Sequence, residues 1–144
     1  MTDAPSLALL MFVAYRDGES RVFEAVRAAG FDDLTLAQCR IAQRLSPNGI
    51  RVTDIAEQAQ VTKQTAGAMV DELERAGYVT RVPDPTDARA RLVLLSRRGE
   101  ALCDLAAAEV SAIESQWRDH LGPKRYGQLR EAMLALREIT DPYQ

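Results

Sequence analysis

Between Thr53 and Gly77 two short amphipathic helical patterns meet at a turn, and a hairpin pattern follows with no linker between them. In TDIAEQAQVTKQTAGAMVDELERAG, Thr53 is placed to cap the first helix. Asp54 then sits where a helix N-terminus favours negative charge, and Ile55, Ala56 and Ala59 form the packed side. Thr62 caps the second helix, whose stripe Ala66, Met69, Val70 and Leu73 falls at i, i+3, i+4 and i+7; Gly77 closes it. YVTRVPDPTDARARLVLLS then offers two strands, residues 78–82 and 89–95, joined by a Pro-Asp-rich loop. The expected fold class is mainly α with a small β-wing, a winged helix-turn-helix.

Further helical patterns flank this unit. Ser6 caps a first helix that runs, with Gly18 as a blemish, to about Ala29 and stops at Gly30. Thr35 caps a second through Leu45, with Leu36, Ile41 and Leu45 inward; Ser46-Pro47-Asn48-Gly49 is a turn, and residues 50–52 suit a very short strand. Ser96 opens a long helix to about His120, carrying Leu102, Leu105, Ala106, Ile113 and Trp117. After the Gly122-Pro123 break, a last helix over about 124–139 presents Leu129, Met133, Leu136 and Ile139. The expected organisation is one domain over residues 1–144. Its winged helix-turn-helix core spans about 36–98, and dimerisation helices lie at about 6–30 and 97–140. The terminal helices carry more apolar residues than one small domain needs, so they are expected to pack against a second copy in a homodimer.

At 144 residues and 47% hydrophobic content the chain can bury a core. One histidine, His120, and two cysteines outside any CxxC pattern argue against a metal site. There is no Gly-rich phosphate loop and no nucleophile–base pattern, so neither catalytic residues nor a cofactor are expected, and the chain does not read as an enzyme. Cys39 and Cys103 lie in helical patterns beside Ala, Leu and Ile and read as small buried hydrophobes. The apolar run 7–15 is too short to cross a bilayer and lacks a basic leader, which points to a soluble, cytoplasmic protein with no membrane partner.

A helix-turn-helix with a wing is a shape that reads double-stranded DNA, one helix entering the major groove and the wing the neighbouring minor groove. The net charge of −3 opposes this, but only the contacting face must be positive, and residues 89–98 hold four arginines and no acid. Opposite the Ala66–Val70–Leu73 stripe, Lys63, Gln64, Thr65 and Ala68 form the reading set. Gln64 suits adenine N6 and N7, Thr65 or Ala68 a thymine methyl, and Lys63 a phosphate. In the wing, Asp87 is spaced to bond the Arg89 guanidinium or a tip amide and hold the arginine outward, toward a narrow A·T-rich minor groove. Thr53, Thr62, Arg81 and Arg91 complete the DNA-contacting set. The alternative for these positions is a solvated helix face and an ordinary surface turn, in a winged helix used for protein–protein interaction with DNA binding lost.

The stretch VTDIAEQAQVTKQTAGAMVDELERAGYVTRVPDPTDARARLVLLSRRG resembles the MarR family of transcriptional regulators. The match lies in the Leu73-Glu74 pair and Gly77, in Arg81, in the D-P-x-D-x-R wing (Asp84, Pro85, Asp87, Arg89) and in the Leu95, Ser96, Gly99 exit. The resemblance implies a homodimer with interlocked terminal helices that binds pseudo-palindromic operators, usually as a repressor and sometimes as an activator. It also implies release by a small aromatic or phenolic effector, or by cysteine oxidation. Met11, Tyr15, Phe23 and Arg40 offer apolar walls, a phenol and a cation for an aromatic acid. The chain departs from the family pattern twice. Gln60 stands at the motif turn where glycine is common, costing about 1 kcal/mol if left-handed. No cysteine lies near the start of the first helix.

Overall fold

The computed structural model describes residues 4–143. Among them, six helices and one two-stranded antiparallel sheet follow one another in the expected order. Ser6 caps α1 (Leu7–Ala28), its hydroxyl accepting from the Leu9 amide at 3.2 Å. Thr35 caps α2 (Leu36–Ala42) in a capping box completed by Gln38. α2 ends at Ala42, short of the expected Leu45. The chain tightens there into i→i+3 bonds, Arg44 to Ile41 and Leu45 to Ala42, ahead of Pro47.

The expected cap at Thr53 is wrong. α3 (Val52–Ala59) is entered from Arg51, which makes no side-chain cap bond, and Thr53 is already the second helical residue. The reason is tertiary. Ile50 exchanges both backbone hydrogen bonds with Val93, at 3.2 and 2.9 Å, and this isolated bridge pins the chain one residue before the N-cap Arg51. The strand expected at 50–52 reduces to that single bridge. Gln60 does adopt the left-handed conformation, φ 57° and ψ 41°, and its side-chain amide donates to the Glu57 carbonyl at 2.9 Å. Thr62 caps α4 (Lys63–Arg75) as expected.

The wing is longer and its loop tighter than the sequence suggested. β1 (Val79–Asp84) pairs with β2 (Asp87–Leu95) from Val79 opposite Leu95 to Pro83 opposite Arg91, with an irregularity between Pro83 and Asp84. Only Pro85 and Thr86 form the turn. Asp84 makes this possible, accepting from both the Thr86 amide (2.8 Å) and the Thr86 hydroxyl (2.7 Å). α5 (Arg97–Leu121) follows from the Ser96 cap, and α6 (Pro123–Thr140) begins with its proline at the first helical position.

Val22 and Val26 of α1, Ile41 of α2, Ile55 of α3, Ala66, Val70 and Leu73 of α4, Tyr78, Val93 and Leu102 share one buried cluster. The terminal helices are different. α6 has no buried residue among those described, and the first half of α1 exposes Leu7, Leu9, Leu10, Phe12 and Val13. No described helix is long and apolar enough to cross a membrane.

Gly99 shows how closely α5 approaches the rest. A Cβ built there would sit deep inside van der Waals contact of the Tyr78 carbonyl oxygen, a backbone atom with little room to give. The Gly99→Ala variant should therefore lose about 2–3 kcal/mol of unfolding free energy by overpacking. Urea denaturation followed by circular dichroism measures this; a midpoint unchanged from the parent would refute the close approach.

Candidate nucleic-acid interface and helix cleft

α4 presents Lys63, Gln64, Thr65 and Ala68 exposed over its first two turns, opposite the buried Ala66, Val70 and Leu73. Capping divides the threonines. The Thr62 hydroxyl accepts from the Thr65 amide at 3.0 Å and donates to the Thr65 hydroxyl at 2.9 Å, so its own proton is used. The Thr65 proton stays available to a ligand. Thr53 is exposed on the first turn of α3.

Four arginines of the motif region fall into two kinds. Arg81, at 14% side-chain exposure, reaches back from β1 to α4 and pairs with Asp71 (2.7 Å) and Glu74 (2.9 Å). It joins the wing to α4 instead of presenting a free guanidinium. Arg51 pairs with the buried Asp84 at 2.6 Å and so anchors the wing from the N-cap of α3. Arg89 and Arg91 are exposed, and their guanidinium groups make no hydrogen bond or ion pair with the described residues. Asp87 accepts from the Arg89 backbone amide at 3.0 Å, the second of the two contacts expected of it, which fixes the backbone from which Arg89 projects.

Arg51 escaped the sequence reading because its partner lies 33 residues away. The same holds for the junction at Tyr78. Its ring is covered by the Arg98 guanidinium, 4.3 Å from the centroid, and its hydroxyl donates to Asp33, whose carboxyl is held below the usual range chiefly by that bond.

A cleft of about 600 Å³ lies between α1 and α5, floored by the end of α2 and by Leu95 of the wing. The four residues expected to meet an effector are dispersed. Tyr15 lines the cleft. Arg40 stands behind it, with its Nε and one terminal nitrogen on the two oxygens of Glu19 at 2.8 and 2.6 Å, and the Tyr15 hydroxyl donates to the same carboxylate at 2.6 Å. Phe23 lines a small cavity adjoining the cleft and stacks under Arg27, while Met11 borders neither. The sequence reading missed Glu19, Glu114 and Trp117, all of which line the cleft. Cys39 and Cys103 are half-buried and reduced, and burial pushes both thiols up, away from the reactive thiolate. Among the described residues no group of His, Cys, Asp or Glu has the makings of a metal site.

The wing tip carries a pH signature. The Thr86 hydroxyl and amide and the Arg51 guanidinium hold the Asp84 carboxyl at about 2. A depressed carboxylate stabilises above its ordinary value of 3.8, and that contribution is lost as pH falls through the folded value. The Thr86 amide resonance should therefore titrate with a midpoint near 2; a midpoint at the ordinary carboxylate value would remove Asp84 as the wing anchor.

Residues 32–90 match the sequence profile described as the MarR family. Over 102 residues the chain is 30% identical to the transcriptional activatory protein BadR of Rhodopseudomonas palustris, covering 68% of this chain and 58% of BadR, so it spans less than two thirds of that relative. Wild-type apo MarR from E. coli superposes with a TM-score of 0.73 at 20% identity, covering 94% of this chain and 98% of that one. CouR from Rhodococcus jostii RHA1 bound to p-coumaroyl-CoA gives 0.73 at 22% identity and 99% coverage of both. At these identities the superpositions establish the fold.

Proposed function

The chain belongs to the MarR family of winged-helix transcriptional regulators, and we propose that it acts as a homodimeric, sequence-specific repressor released from a pseudo-palindromic operator by a small-molecule effector. One observation carries this reading. In the motif, Arg51 and Arg81 are consumed in fixing the wing, while the side chains of Lys63, Gln64, Arg89 and Arg91 are exposed and without a hydrogen-bond or ion-pair partner among the described residues. A surface that spends two arginines on holding others outward is suited to a polyanion.

In this reading Gln64, Thr65 and Ala68 meet base edges, Lys63, Thr53 and Arg91 meet phosphates, and Arg89 enters the minor groove. Thr62, Arg81 and Asp87 position them. The exposed apolar faces of α1 and α6 pair with a second copy, setting two reading helices roughly 34 Å apart with the whole chain serving as one MarR-like domain. Such a protein works in the cytoplasm, where its DNA is. Occupancy of a promoter by the dimer blocks polymerase, which is why repression is the sign chosen; BadR is named an activator, and a promoter–reporter assay decides between the two. An effector in the α1–α5 cleft would alter the spacing of the lobes; that a protein of this fold, CouR, has been crystallised bound to p-coumaroyl-CoA supports the existence of a small-molecule ligand. A hundredfold loss of operator affinity needs about 2.7 kcal/mol of differential binding.

Fluorescence anisotropy on the protein's own upstream DNA and on random duplex, at two salt concentrations, tests the reading. Specific, salt-weakened binding by a dimer is expected. No binding at low salt by a folded dimer would sink it. Arg89→Ala should weaken all duplexes and lower the salt slope by about one. Gln64→Ala should cut discrimination between operator bases by about 1–3 kcal/mol, and unchanged discrimination would take Gln64 out of the reading set.

A further inference from the structure

We propose that the α1–α5 cleft binds an aromatic organic cation, held between the Glu114 carboxylate and the Trp117 indole, and discriminates against aromatic carboxylates. The inference rests on the cleft being the effector site and names its ligand class.

The charge inventory of the cleft carries it. Its ionisable and polar walls are Tyr15 and Glu19 from α1, Gln43 after α2, and Cys103, Glu114 and Trp117 from α5; no lysine, arginine or histidine lines it. Arg40, the cation expected to greet an acid, is committed to Glu19, whose side chain is only 8% exposed and which it keeps ionised. The Tyr15 proton is spent on the same carboxylate, so the phenol has no donor left for an incoming carboxylate. Cys103 stays a neutral thiol.

Glu114 is in the opposite situation. It has neither an ion-pair nor a hydrogen-bond partner among the described residues, although it lines the cleft. Trp117 is three residues further along α5, hence on the same helix face, and lines the same cavity. α1 borders this wall at Gly18. A Cβ there would stand 3.7 Å from the six-membered ring of the indole, so α1 packs directly on one edge of Trp117. A carboxylate ligand would enter beside the unpaired Glu114 carboxylate with no unpaired cation to meet it, and partial burial strengthens that repulsion. A cation gains Coulomb attraction to Glu114 and the face of the indole together.

Trp117 is the single tryptophan of the chain, so its fluorescence reports on this cleft alone. Full-length protein is titrated with three matched probes: biphenylmethyl-trimethylammonium, biphenylmethanol and biphenylacetate. The cation should bind about tenfold or more tighter than the carboxylate, and Glu114→Gln should remove about tenfold of its affinity while leaving the alcohol unchanged within about twofold. The wild-type comparison of the three probes stands even if the variant folds poorly. Tighter binding of biphenylacetate would overturn the ligand class while leaving the effector cleft intact. Cation binding without release of operator DNA would uphold the class and remove the cleft from the release mechanism. No spectral change with any probe would overturn both.

Discussion

α4, the wing and α5 converge on Tyr78. Its amide donates to the Leu73 carbonyl at 2.9 Å, closing α4, and its carbonyl accepts from Ser96 at 2.9 Å, closing the wing. Gly99 of α5 rests against that carbonyl, Arg98 lies on the ring, and Asp33 takes the hydroxyl. The reading helix, both wing strands and the long C-terminal helix are thus fixed at one buried residue. Burial and the Asp33 bond push the phenol well above its ordinary range, so it is a hydrogen-bond donor at any working pH. A buried polar group that is fully satisfied specifies one arrangement, since moving any element would strand a donor or an acceptor.

α2 performs a second linking task despite having only seven residues. On one side Arg40 grips Glu19 of α1; on another the Gln38 side-chain amide, buried, donates to Glu72 of α4 at 2.5 Å. The helix that borders the cleft is therefore hydrogen-bonded to α4. Displacing α1 from α2 breaks the Arg40–Glu19 pair, while α2 stays tied to α4 through the Gln38–Glu72 bond. Such bonds are directional, so a small shift is not absorbed as it would be by apolar packing alone.

The acidic total of the chain and its cationic motif coexist because the charges are sorted by partner. Asp71, Glu74 and Asp84 neutralise the arginines that hold the wing, and Glu19 neutralises the one beside the cleft. The unpaired charges on the first turns of α4 and along the wing strand β2 are Lys63, Arg89 and Arg91, and the unpaired charge in the cleft is Glu114. Net charge conceals both facts.

Local chemistry was legible in the residues themselves. The caps at Ser6, Thr35, Thr62 and Ser96, the α4 stripe and the left-handed Gln60 all follow from interactions within about four residues, which a linear pattern records directly. The Asp87–Arg89 contact is of the same kind. What the pattern could not record was which of two local options a distant residue would select. Thr53 had the right chemistry for a cap, yet the Ile50–Val93 bridge started the helix two residues earlier. Arg40 had the charge to receive an acid, yet Glu19, 21 residues away, claimed it; Arg51 found Asp84 across 33. Sequence alone determined the elements and the residues available for function. Tertiary structure decided which charged groups were left unpaired, because an ion pair depends on where two helices come to lie, and that is set by burial of the whole core.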